Sequence, residues 1–186
     1  MPRVILDYDL PDRCVVGTVG QPGARTFYLQ ARAGRRVTTV AVEKAQAAAL
    51  AERLGELLDD VVRRSRGAAP VPAVAPAELE DDAPLDQPLV EDFRVGTMAV
   101  GWDGDRAQVI LEAQALTDDP DDAELIDDED ADGPPLLRVR LSGAMARALA
   151  KRAAAVVAAG RPPCPFCGQP LDPSGHLCVR ANGYRR

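Results

Sequence analysis

The sequence predicts an α+β fold, in which helices pack on antiparallel strands and a small cysteine-rich tail follows. Two periodicities predict the folded part: apolar and polar residues alternate in several short runs, and two longer runs repeat with the helical period. Hydrophobic residues make up 46% of the 186 residues but aromatic residues only 4%. We therefore expect a core of valine, leucine and alanine.

Strands are predicted in the first third of the chain. Runs at 4–9, 14–19, 25–33 and 36–42 are β-branched or alternating, separated by proline or glycine turns. In the third run, for example, Phe27, Leu29 and Ala31 share one face. Cys14 lies inside the second run, where a cysteine usually acts as a small buried hydrophobe.

Residues 43–64 change to the helical period. Charged residues such as Glu52 and Arg53 lie opposite an apolar stripe, which is typical of a helix that packs on a core. The stripe consists of Leu50, Leu54, Leu57, Leu58, Val61 and Val62.

A proline-rich segment at 65–91 is predicted to link two halves of the chain. Pro70, Pro72, Pro76 and Pro84 prevent a continuous helix or strand there. The predicted organisation is a first unit at 1–64, this linker, a second unit at 92–159 and a tail at 160–186.

The second unit repeats the order of the first from Cys14 onward. Val95-Gly-Thr corresponds to Val16-Gly-Thr, and a helix predicted at 142–159 corresponds to the one at 43–64. Alanine-rich helices resemble one another in any case, but agreement in order across three strands and a helix favours an internal duplication. Each unit is then βββα, and the strand at 4–9 is an addition at the N-terminus.

Acidic residues are concentrated in two segments that contain no base: ten lie at 118–132 and seven at 78–92. The net charge is −7, so the rest of the chain carries +10. Repulsion between like charges predicts that both segments are unstructured and that 117–135 is a solvated loop. A divalent-cation site in this loop is the weaker alternative, because the spacing of a calcium loop is missing.

The tail contains the clearest chemical pattern. Cys164 and Cys167 are separated by two residues, and eight residues later come His176, the only histidine, and Cys178. A tight turn can point the first two thiolates at one centre, and the following prolines and glycines return the chain to complete a tetrahedron. Three sulfurs and one imidazole predict a closed structural zinc site, a small zinc knuckle. A disulfide and free surface thiols are the alternatives.

The same pattern bears on the compartment. Asp7 and Asp9 interrupt any apolar run near the N-terminus, so no signal peptide is predicted, and no run has the length of a membrane span. Zinc-type cysteines without an export signal predict the reducing cytoplasm.

Three stretches resemble an actinobacterial family of unknown function: residues 16–32, residues 93–103 and the closing run CPFCGQPLDPSGHLCVRANGYRR. The family has a C-terminal CPxCG…GHxC…RANGYRR zinc-knuckle motif, and the resemblance implies no activity. Val179 stands where the family pattern has proline, but it is not a ligand. Because members are commonly encoded beside a histidine-phosphatase-like and a kinase-like protein, the resemblance implies a shared pathway or a partnership with them.

The usual catalytic constellations are missing. The only histidine is assigned to zinc, so no Ser-His or Cys-His pair can form, and no glycine-rich phosphate loop is present. The chain is therefore predicted not to be an enzyme.

The sequence is compatible with three functions. The preferred prediction is an interaction or regulatory module that binds a protein partner through the end of its tail, because arginine and tyrosine often carry interface energy. Those residues are Arg180, Asn182, Tyr184, Arg185 and Arg186. Nucleic-acid binding by the zinc knuckle and the arginine-rich terminus is one alternative, which the two acidic segments disfavour. An accessory role in a phosphatase-like or kinase-like pathway is the other.

Overall fold

The computed structural model describes residues 3–118, 132–160, 163–171, 176, 178 and 180. Within these ranges the chain forms seven strands and two α-helices, and a single 3-10 turn at Ala77–Leu79 lies between the two halves. The α+β fold class is confirmed. The elements are β1 (Ile5–Asp9), β2 (Arg13–Val19), β3 (Thr26–Ala33), β4 (Arg36–Val42), α1 (Lys44–Arg64), β5 (Phe93–Asp103), β6 (Gln108–Ala115), β7 (Leu136–Ser142) and α2 (Gly143–Ala158).

All the strands join one mixed sheet of order β1-β7-β6-β5-β4-β3-β2. β2–β3–β4 and β5–β6–β7 are antiparallel meanders, and a short parallel pairing of β4 with β5, at Val40 with Phe93 and Ala41 with Arg94, connects them. β1 adds to the far edge, parallel to β7. The element order βββα thus occurs twice, as predicted, whereas the duplication and the unit boundaries stay predictions.

The two helices pack against each other and against the inner face of the sheet. Strand register places Leu29 beside Val40 and Leu111 beside Val139, and these residues form one core with both helices. The core is built mainly of valine, leucine and alanine, as expected. Burial of each such leucine or valine contributes about 1.5–3 kcal/mol. None of the helices in the described ranges combines the length and apolar character needed to cross a bilayer.

Local capping explains where the helices begin. Ser142 Oγ accepts a hydrogen bond from the Met145 backbone N–H at 3.2 Å, which satisfies one free donor of the first turn of α2. At the start of α1, the Gln46 side chain accepts from the Glu43 backbone N–H at 2.8 Å. The apolar stripe of α1 is buried at Leu50, Leu54, Leu58 and Val61.

The acidic part of the linker is ordered against the sheet and α2, so the prediction that it is unstructured is wrong. The Asp81 carboxylate accepts from Arg13 Nε on β2 at 2.6 Å and from Arg152 Nη1 on α2 at 2.8 Å. Acids of this segment therefore meet arginines of the sheet and helix, and this attraction outweighs the repulsion among the acids themselves. Sequence composition could not show this, because the arginines lie 68 and 71 residues away.

Apolar and backbone contacts complete the docking of the linker. Leu85 is only 5% exposed and lies over Gly17, where an added Cβ would come within 2.6 Å of a Leu85 methyl group. The Gln30 side chain exchanges hydrogen bonds with the backbone of Asp86, at 2.8 and 3.2 Å. The linker thus covers the outer face of the first meander beside β2, the edge strand.

The acidic loop of the second unit lies mostly outside the described residues, which stop at Asp118 and resume at Asp132. A backbone hydrogen bond joins the two ends of the loop: the Ala115 N–H donates to the carbonyl oxygen of Pro135 at 2.8 Å. Solvation of the loop stays a prediction.

Candidate metal centre

A tight turn presents the first two cysteines. The Gly168 N–H donates to the Cys164 carbonyl at 2.8 Å, and the Cys164 N–H donates to the Gln169 carbonyl at 2.7 Å. Gly168 has a φ of +74°, in the left-handed region that favours glycine. Pro163 and Pro170 pair across the turn as an isolated bridge. The chain therefore reverses within a few residues, and both sulfurs lie on one side of the turn.

The ligand atoms of Cys164, Cys167, His176 and Cys178 all lie within 4.8 Å of one another. Cys164 Sγ is 3.8 Å from Cys178 Sγ, and Cys167 Sγ is 3.2 Å from His176 Nε2. A zinc ion with Zn–S bonds of about 2.3 Å has tetrahedral S···S edges of about 3.8 Å and S···N edges of about 3.6 Å. The Cys164–Cys178 separation equals the S···S edge and the Cys167–His176 separation is shorter than the S···N edge, so the four ligand atoms are close enough together to bind one metal ion.

The disulfide alternative does not describe this cluster, because Cys164, Cys167 and Cys178 are all free. Cys14 is also free, but it lies in β2 and packs against the core. Burial raises the pKa of the Cys14 thiol to about 12, so this thiol stays protonated at neutral pH. The interpretation of Cys14 as a small hydrophobe is confirmed, and it is separate from the cluster.

The clustered thiols influence each other electrostatically. Burial raises the pKa of Cys164, but the backbone N–H groups of Cys167 and Phe166 donate to its sulfur and bring the pKa below its ordinary value. The Gln169 N–H lowers the pKa of Cys167, yet burial and the sulfurs of Cys164 and Cys178 raise it above its ordinary value. Additional thiolates are therefore disfavoured unless a cation compensates their charge.

His176 fits the fourth position. Its Nε2 atom points to Cys167 Sγ, whereas its Nδ1 atom is buried and finds no hydrogen-bond partner in the part of the chain that the structure describes. A metal-bound histidine uses one nitrogen for the metal and commonly donates the other N–H to a nearby acceptor. The donor set and its spacing thus suit a thiophilic metal ion held by Nε2 and three sulfurs.

Comparison with known proteins gives this cluster a family context. The family model described as "Protein of unknown function (DUF3090)" matches residues 6–178. The chain belongs to this family. The DUF3090 match begins in β1 and ends at Cys178, so it includes both meanders, the linker and all four cluster residues. No curated protein and no solved structure matches the chain. The actinobacterial origin stays a prediction.

The tail of this DUF3090 chain is described only in part. Arg180 is exposed, and its Nη1 atom donates to the Phe166 carbonyl at 3.4 Å, which places it beside the first cysteine turn. Asn182, Tyr184, Arg185 and Arg186 lie outside the described residues. Their role in partner binding stays a prediction.

Sequence reasoning missed Phe166, whose side chain is 61% exposed at the tip of the cysteine turn. The exposure of Phe166 could have been predicted from the sequence. Both cysteines of a C-x2-C turn point toward the metal, so a residue between them tends to face solvent. An exposed aromatic ring beside an exposed arginine is a surface suited to a macromolecular contact.

Proposed function

We propose that this protein is a cytoplasmic, non-enzymatic zinc-binding module that binds a protein partner through its C-terminal tail. The observation that supports the proposal is the convergence of three cysteine sulfurs and one histidine nitrogen within 4.8 Å. Four protein ligands leave no coordination position for water or substrate, which is typical of structural rather than catalytic zinc.

Zinc suits the cluster better than harder metals. Thiolate and imidazole ligands in a tetrahedral arrangement favour Zn²⁺, whereas Mg²⁺ and Ca²⁺ prefer oxygen ligands in larger numbers. The ion would supply the positive charge that three neighbouring sulfurs require. It would also cross-link the tail, which is too short to form a hydrophobic core of its own.

The proposed partner site is the surface of the cysteine turn, whose conformation zinc would stabilise. Phe166 and Arg180 lie together on the cysteine turn, and both are exposed. Aromatic and arginine side chains combine apolar area with directional hydrogen bonding, and they often dominate the energy of protein interfaces. The remaining tail residues, among them Tyr184 and Arg185, would extend this surface. A histidine-phosphatase-like or kinase-like protein is the first partner class to examine.

The metal is tested by elemental analysis of the freshly purified full chain. We expect one zinc per chain, retained in a Cys14→Ala variant and lost in a Cys178→Ala variant. Of these two cysteines, Cys178 is in the cluster and Cys14 is not. Absence of metal from the parent protein would contradict the proposal, and so would equal loss from both variants.

Partner binding is tested by affinity capture from the native cytoplasm. Substitution of Phe166, Arg180, Tyr184, Arg185 and Arg186 by alanine should abolish recovery of specific proteins. The Arg35→Ala/Arg66→Ala variant controls for lost surface arginines, since both side chains are exposed and neither belongs to the tail. Recovery of the same proteins by the tail variant would contradict the proposal. Loss of all captured material after nuclease treatment would instead favour the nucleic-acid alternative.

A further inference from the structure

A cleft of about 680 Å³ opens where the tail meets the folded part of the chain. It is lined by the start of β3, the end of β4, the start of α1, β5 and the end of α2, and also by Pro170 of the tail. We call it the basic cleft and define it by Arg25, Lys44, Arg94 and Gly160. Its volume lies in the range of sites for small organic ligands.

The basic cleft holds two cations without a carboxylate partner in the part of the chain that the structure describes. Most arginines in the described ranges have a carboxylate partner, as Arg13 and Arg152 have in Asp81. In the cleft, Glu43 pairs with Arg94 at 3.0 Å, whereas Arg25 and Lys44 have no carboxylate partner among the described residues. A protein with 29 acidic and 22 basic residues thus leaves two neighbouring cations uncompensated at one site.

The two cations converge on one point. A methyl group in place of a Gly160 hydrogen would lie 3.7 Å from Lys44 Nζ and 3.9 Å from Arg25 Nη2. The guanidinium of Arg25 lies 5.3 Å from the ring centroid of Phe27, which is buried and limits the movement of the arginine. Because both nitrogens lie within 4 Å of one position, they are less than about 8 Å apart, so one phosphate-sized anion between them can contact both, with Arg25 supplying a planar fork and Lys44 a point charge.

A structural explanation competes with ligand binding. Gly160 follows the C-terminus of α2, and cations near a helix C-terminus stabilise its free carbonyl groups. Stabilising the end of α2 needs no open cavity, however. It also does not explain why Arg94 and the first turn of α1 line the cleft. The two explanations differ in what they predict for substitutions that keep the charge.

We propose that the basic cleft binds a small phosphorylated molecule, whose phosphate lies between Arg25 and Lys44. The rest of the ligand would occupy the space toward Arg94 and Pro170. The phosphate position, between Arg25 and Lys44, is distinct from the partner surface on the tail, although Pro170 of the cysteine turn also lines the cleft.

Calorimetric titration of the full zinc-loaded chain tests the site, with inorganic phosphate and pyrophosphate as probes. We expect binding of both, tighter for pyrophosphate, and a loss of affinity of at least about tenfold in Arg25→Ala/Lys44→Ala. The matched control is Arg35→Ala/Arg66→Ala, which removes the same charge from exposed arginines that have no carboxylate partner in the described part of the chain. It should bind as the parent does.

The Arg25→Lys variant separates the two explanations. It keeps a cation near the end of α2, so its melting temperature should equal that of the parent, but it loses the guanidinium fork and should bind pyrophosphate more weakly. Unchanged affinity in both Arg25→Lys and the double alanine variant would overturn the proposal. Absence of heat with the parent protein, or equal loss of affinity in the control, would also overturn it.

Discussion

The two meanders have the same strand order and the same following helix, but their outer faces differ. The outer face of the first carries Gly17 and Gln30, and the linker lies over them through Leu85 and Asp86. The outer face of the second carries ion pairs instead, such as Arg138 Nε with Glu112 at 2.7 Å. Ala99 and Gly101 form part of a shallow groove on that face.

The difference shows that the linker is part of the folded structure: it covers the first meander, and it also contacts α2 of the second half. The first face has uncharged side chains and arginines whose carboxylate partners come from the linker, so it gains stability when the linker covers it. A face whose charges are already paired within the sheet is compatible with water. The segment that separates the halves in sequence therefore contacts both of them in space. Substitutions in the linker should affect stability more than matched changes on the open face.

The largest effect is expected from Leu85→Ala. The Leu85 side chain is 5% exposed, so its truncation should lower the free energy of unfolding by about 2–4 kcal/mol. Leu79, in the same linker but 37% exposed, provides the control, and Leu79→Ala should cost less than about 1 kcal/mol. Urea denaturation measures both. Equal losses would mean that the linker is not docked through Leu85.

A smaller effect is expected from Asp81→Asn. Two guanidiniums that are about a tenth exposed lose their shared carboxylate, and the cost should be about 1–2 kcal/mol at neutral pH, since Asp81 itself is 29% exposed. The matched change on the open face is Glu112→Gln, which removes one partner of one arginine and should cost less.

The cost of Asp81→Asn should also depend on pH. The hydrogen bond from Arg13 holds the pKa of Asp81 at about 2, below its ordinary value of 3.8. Because the folded-state pKa is the lower one, the stabilisation is complete above about pH 5 and is lost as the pH falls through 2. The difference between the parent protein and Asp81→Asn should therefore shrink over that window. A difference that stays constant with pH would contradict the ion pairs.

The smallest and sharpest comparison uses two glycines in the middle of strands. In Gly17→Ala the new methyl group would lie 2.6 Å from Leu85, so this buried side chain must move, and the expected cost is about 1–2 kcal/mol. In Gly101→Ala the methyl group meets nothing within 4 Å, and the stability should stay within about 0.5 kcal/mol of the parent or rise. Melting temperatures of the two variants measure the difference. Equal values would remove the distinction between the covered and open faces.

Local sequence patterns were sufficient to predict the elements and the ligand set. The helix predicted at 43–64 is observed at Lys44–Arg64, and the one predicted at 142–159 at Gly143–Ala158, where Ser142 is the cap. Period and capping depend on residues within one or two turns, so a single chain displays them directly. The cluster of Cys164, Cys167, His176 and Cys178 was predictable for the same reason, because its spacing is short.

The docking of the linker, the connection of the meanders and the basic cleft were decided only by tertiary structure. Composition indicated that 78–92 repels itself, but the arginines that bind its carboxylates come from β2 and α2. Strand patterns predicted two units, but pairing of Val40 with Phe93 makes them one sheet. Lys44 and Arg25 are ordinary surface cations in the sequence; pairing of Phe27 with Val42 brings them near each other, and the end of α2 lines the cleft beside them. Each of these features depends on groups far apart along the chain, whose interaction energy exists only after folding has placed them within a few ångströms of each other.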